Sequence, residues 1–164
     1  MAEKDGHAKD FVAAHHEAGH AVGAYMLGVP TKVVYIEADG SGEGDWKPAL
    51  TIGEIRKHGL WPEYAICGEL GRTVERMLFG SSDSRFCDDD QDVIDRLLLT
   101  FLPDRGEREK FKAKLPQLAE DVTRRPFFFE SVKAVAQELL KGERLDNTGV
   151  KAVIEEASRK RGRI

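Results

Sequence analysis

One run of five residues, His16-Glu17-Ala18-Gly19-His20, restricts how this chain can fold more than any other segment. It lies inside residues 8–27, where Phe11, Ala14, Ala18, Val22 and Tyr25 recur at helical spacing without a proline. Gly28 follows the last periodic residue and Pro30 comes soon after, which ends the helix. Histidines four positions apart on a helix share a face and can aim both imidazoles at one point. Val12 shares their stripe, and Gly19 and Gly23 lie beside it. The fold must therefore bury a helix face carrying two imidazoles and a carboxylate. Small residues there let a second helix come close.

That combination is a metal-binding pattern. Two histidines at this spacing with a glutamate after the first suit a zinc hydrolase, in which Glu17 takes a proton from an activated water. A catalytic zinc site needs a third protein ligand and one open position. A third histidine six residues beyond His20 is ruled out, because position 26 is Met26. The remaining sources are Glu69 or Glu75 on a following helix, or Asp88-Asp89-Asp90 at the start of the next. Aspartates at a helix start also serve as caps and as partners of the helix dipole. His15 points about 100° away from His16 and reads as a supporting or surface residue. His7 and His58 fall outside any ligand spacing. Two imidazoles and a carboxylate with open positions suit iron(II) as well as zinc.

The rest of the chain sets the frame for that site. Its 164 residues suit a single domain, 1–164, with a core over about 8–157 and short flexible termini. A net charge of −4 argues against nucleic acid as a partner, since phosphate rewards a basic surface. The basic run 159–163 reads as a solvated terminus. Cys67 and Cys87 form no CxxC pair, so a cysteine-based zinc site is not expected, and both read as reduced thiols. No segment approaches the ~18 consecutive apolar residues of a membrane helix. The first ten residues carry no apolar signal core. The expectation is a cytoplasmic protein without direct membrane insertion.

Further elements follow from pattern. Residues 31–36 are β-branched and read as a strand, residues 37–47 with three glycines as a loop, and residues 49–52 as a second strand. Residues 61–79 read as a helix closed by Gly80, followed by a polar loop over 81–88. Further helices are expected over 89–102, 107–115, 126–141 and 147–157, the last capped by Asp146 or Thr148. The fold class expected is mainly α, an α+β arrangement with a small sheet or hairpin near the site.

Three stretches together resemble the FtsH-type zinc metallopeptidase domain. His16 to Ile36 is close to that family's HEAGHA…LG…P…KV pattern. Leu70 to Gly80, LGRTVERMLFG, looks like the family's AGRAAEELVFG, and ELLKGERLDNTGVKAVI is similar to its LL…E.LDG.E. The resemblance implies a peptidase using Zn²⁺, with peptides or unfolded protein as substrate and Glu17 as the catalytic base. It implies a third ligand opening the helix after the second stretch. Asp90 takes that place, because it sets Ile94, Leu97, Leu98 and Phe101 on the family's apolar positions. Asp89 is the alternate, and would put Arg96 on one of them. Gln91 departs from the apolar residue that usually follows the family's aspartate. Glu75 matches the first glutamate of AEE and implies a carboxylate supporting a ligating histidine.

In the family this domain normally follows an AAA+ ATPase. This sequence carries no Walker A loop, so the resemblance extends to peptidase chemistry and not to ATP-driven unfolding. The loop over 38–48 replaces the family's glycine-rich stretch beside the substrate cleft, so specificity does not carry over. An extended substrate is expected to pair with the edge of 31–36. Two other readings follow: a non-enzymatic zinc-stabilised module that binds a protein partner, and a peptidase subunit working with a separate ATPase, as a homo-oligomer by analogy.

Overall fold

The structure, a computed structural model, describes residues 2–37, 47–82 and 84–162, with side chains for 10–37, 47–82 and 87–162. Seven helices make up the described residues: α1 (Ala2–Leu27), α2 (Ile52–His58), α3 (Trp61–Phe79), α4 (Ser84–Phe101), α5 (Arg105–Thr123), α6 (Phe128–Leu140) and α7 (Asn147–Arg161). None is long and apolar enough to cross a membrane.

Helix α1 is the axis of the molecule. Every residue from Ala13 to Ala24 is buried, and α3, α6 and α7 pack around it, while α4 and α5 pack mainly against α3. The single apolar stripe read from periodicity understates this, because the stretch is alanine- and glycine-rich and can be covered on every side. Phe11 and Tyr25, read as part of that stripe, are half exposed. Gly19 and Gly23 meet α3. A Cβ at Gly19 would stand 2.9 Å from Val74 Cγ2, and one at Gly23 would collide with Leu70. Their absence brings the two helix backbones together.

The apolar residues form two clusters. One joins Ala18 and Val22 of α1 to Leu70 and Val74 of α3, Val132, Val135 and Leu139 of α6, and Ile154 of α7. The other joins Ala24 and Val29 to Ile55 of α2, Tyr64 of α3, Ile94 and Leu98 of α4, and Leu115 of α5.

Several expectations are corrected. No strand forms among the described residues, so the small sheet or hairpin is not shown. Only two isolated antiparallel bridges occur, Thr31 with Pro48 and Val34 with Leu145. The segment 31–36 is pinned to the α6–α7 connection instead. Val34 and Leu145 exchange both backbone bonds at 2.8 and 2.9 Å, and Asn147 Nδ2 donates to the Thr31 carbonyl at 3.0 Å. The second expected strand gives way to α2. Thr51 accepts from Glu54 N at 3.2 Å while Glu54 accepts from Thr51 N at 2.8 Å, a capping box that starts a helix at Ile52. Most of the expected loop over 37–47 lies outside the described residues.

Helix α4 begins at Ser84 rather than 89, which shortens the expected loop. Helix α5 runs through Pro116 to Thr123, although an interior proline costs roughly 3 kcal/mol. Buried Ala119 and Val122 beyond it join the core, and their packing offsets the lost hydrogen bond. At α7 the cap is Asp146, whose Oδ1 accepts from Gly149 N at 2.8 Å.

Candidate metal centre

The site is built at the crossing of α1, α3 and α4. Helical spacing on α1 brings Nε2 of His16 and Nε2 of His20 to 3.0 Å. Helix α4 brings Asp90 Oδ2 to 2.8 Å from the first and 3.1 Å from the second. Three donor atoms of metal-ligating type thus converge on one point from residues 70 and 74 positions apart in the chain. Both histidine side chains are 1 % exposed and Asp90 is 14 % exposed, so Asp90 is the most accessible of the three.

The outer ring atoms decide what the inner ones can do. His20 Nδ1 lies 2.8 Å from the Cys67 carbonyl, which only accepts, so Nδ1 carries the proton. A neutral His20 therefore presents a lone pair at Nε2. Cys67 also donates its thiol to the His20 carbonyl at 3.3 Å, so one residue of α3 clasps His20 at two points. His16 Nδ1 lies 2.5 Å from Glu75 Oε1. With that carboxylate accepting, His16 also presents a lone pair inward.

Two imidazole lone pairs and a carboxylate oxygen about 3 Å apart repel one another unless a positive charge lies among them. A proton is one candidate. Burial opposes protonation of His16, but Asp90 and Glu75, with Glu17 nearby, overcome it and raise its pKa to about 10. Burial pushes the Asp90 carboxyl up, yet the two histidines outweigh it and hold it well below the usual carboxylate range. A divalent cation answers the same demand at all three atoms at once.

Gly71 shows that the space is built for it. A Cβ on that residue would sit 2.5 Å from Nε2 of both His16 and His20. Only glycine leaves the inward faces of both rings clear. The donor set, the fixed tautomers and this clearance together fit a divalent metal ion.

The expected residues are therefore brought together as follows. His16, His20 and Asp90 form the cluster, Glu17 is buried beside it on α1, and Glu75 holds His16 from α3. Asp89 is exposed and outside the cluster. Because α4 starts at Ser84, none of Asp88, Asp89 and Asp90 caps that helix. Glu69 is buried but not among the clustered donors. Burial raises its pKa, with Arg72 and Arg76 pulling it back. His15 Nδ1 donates to the Phe11 carbonyl, 2.8 Å away, and its ring packs against Phe11 and Phe79. No family model matches the chain, and no curated protein matches it.

Sequence reasoning missed Gly71, Cys67 and Cys87. A glycine in the middle of a helix signals a close approach, and Gly71 carries that signal. Cys67 acts on His20 mainly through its backbone oxygen, which no residue type announces. Cys87 lies with His16 and Glu75 in a second group of buried donor atoms.

Proposed function

We propose that this chain is a zinc-dependent metalloendopeptidase of the FtsH peptidase type, hydrolysing peptide bonds with an activated water. The reading rests on the convergence of His16, His20 and Asp90 with Glu17 buried alongside. The likeness of three stretches to that family supports it.

In this reading His16, His20 and Asp90 hold the ion. When bound, Zn²⁺ supplies Lewis acidity, polarising the scissile carbonyl and lowering the pKa of a water toward about 7. Glu17 takes the proton from the attacking water and passes it to the leaving amine. Glu75 and the Cys67 carbonyl keep both rings in the ligating tautomer. Peptides, exposed loops or unfolded segments are the substrates. A substrate strand cannot pair through Val34, whose backbone is committed to Leu145.

The test is metal content by mass spectrometry on wild type, Asp90→Ala and Asp89→Ala, followed by cleavage of unfolded casein. The expected result is about one zinc per chain, lost in Asp90→Ala, kept in Asp89→Ala, with chelator-sensitive cleavage. Glu17→Gln is expected to keep zinc and lose at least 10²-fold in turnover. Zinc without cleavage would favour a partner-dependent or binding role. Iron in its place would overturn the zinc assignment. No metal, even after zinc is supplied, would overturn the reading entirely.

A further inference from the structure

The support of His16 extends beyond Glu75. Cys87 lies on α4 one turn before Asp90. Its sulfur, a Glu75 carboxylate oxygen and a His16 ring nitrogen all lie within 4.8 Å of one another, and all three residues are buried. From α3, the Arg72 guanidinium is near enough to offset part of the rise that burial gives the Cys87 thiol pKa. Arg72 adjoins Gly71, and Glu75 sits one turn further along the same helix. The two helices that supply clearance and the third ligand thus also supply a second layer around the first histidine.

We propose that Cys87 is a positioning residue of the metal centre: beside Arg72, it confines the Glu75 carboxylate against Nδ1 of His16 and so sets how His16 presents Nε2. This rests on the metal-centre reading above. A buried carboxylate must be held by neighbours, and whatever holds it competes with His16 for its charge. A thiol is a weak donor and a bulky, polarizable neighbour. It restricts where Glu75 can move without itself drawing much charge from the carboxylate that accepts from His16. A strongly accepting partner raises the basicity of the ligating nitrogen.

The experiment is zinc affinity by competition with a chromophoric chelator, measured for wild type, Cys87→Ala, Cys87→Ser, Glu75→Gln and the double variant Glu75→Gln/Cys87→Ala. Melting temperatures of the metal-free proteins are recorded alongside. The expected loss for Cys87→Ala is roughly tenfold, the low end for removal of an outer partner. Cys87→Ser, which keeps a hydrogen-bonding atom there, is expected to recover most of it. In the Glu75→Gln background Cys87→Ala is expected to add nothing. Arg72→Met, which leaves the α4 core intact, is expected to weaken affinity several-fold and gives the same cycle if Cys87→Ala does not fold. Unchanged affinity in Cys87→Ala, or an equal loss in both backgrounds, would overturn the proposal while leaving the metal centre standing. A wild-type chain that binds no zinc would overturn both.

Discussion

At the scale of single residues, the candidate centre depends as much on an absent side chain as on those present. Alanine in place of an interior helical glycine ordinarily stabilises by about 0.5–1 kcal/mol. At Gly71 the new Cβ would stand 2.5 Å from two ring nitrogens. Gly71→Ala is therefore expected to weaken zinc binding by more than the roughly 10–100-fold that loss of an outer partner costs. The competition assay checks it, and near-normal affinity would contradict the geometry. Glu69 offers a different test. Burial raises its pKa in the folded chain above its unfolded value. The folded state then holds that proton more tightly, so stability falls as pH rises from the unfolded pKa through the folded one. Glu69→Gln removes the titration. It is expected to melt higher than wild type at pH 8, with the difference shrinking toward pH 4 in thermal scans of metal-free protein.

At the scale of elements, helices with strong periodicity were legible in the chain, while the two strands it suggested do not form among the described residues. Residues 61–79 could be read to the residue, because Pro62 starts that helix and Gly80, at φ 80°, stops it. The extended segment 31–36 has the composition of a strand but finds its partner in single residues, Leu145 and Pro48, that no local pattern marks. Helix α2 was missed although its capping box is written in Thr51 and Glu54, because β-branched Thr51 and Ile52 suggested a strand. Asp90 was singled out only through the family resemblance, whose apolar positions fall on Ile94, Leu97, Leu98 and Phe101, whereas the start of that helix was not legible. The turn into α6 carries its own prediction. Phe127 stands at φ 67°, costly for a residue with a Cβ, and its half-exposed ring is covered by Arg161 at 4.0 Å. Phe128 beside it is fully buried. Phe127→Gly relieves about 1 kcal/mol of strain and loses about as much in the cation–π contact, so it should be near neutral. Phe128→Ala should cost about 3–5 kcal/mol. Denaturant titrations of the two variants decide this, and equal losses would refute it.

At the scale of the whole molecule, the candidate centre sits on the innermost helix, so an ion held there would be linked to folding stability. Zinc at a hundredfold excess over its Kd adds about 2.7 kcal/mol. For a chain of this size that raises the melting temperature by about 5–10 °C. Asp90→Ala should show no such rise, and a wild type indifferent to zinc would break the link. The same architecture divides the centre into a fixed side and an adjustable one. Across the seam between α1 and α3, Gly19 and Gly23 are met directly by Val74 and Leu70, and Gly71 by the two histidine rings. Both histidines and their outer partners therefore behave as one jaw of a vice. Asp90 reaches the two histidines from α4, so under the metal-centre proposal discrimination between ions of different radius would rest with the placement of that helix.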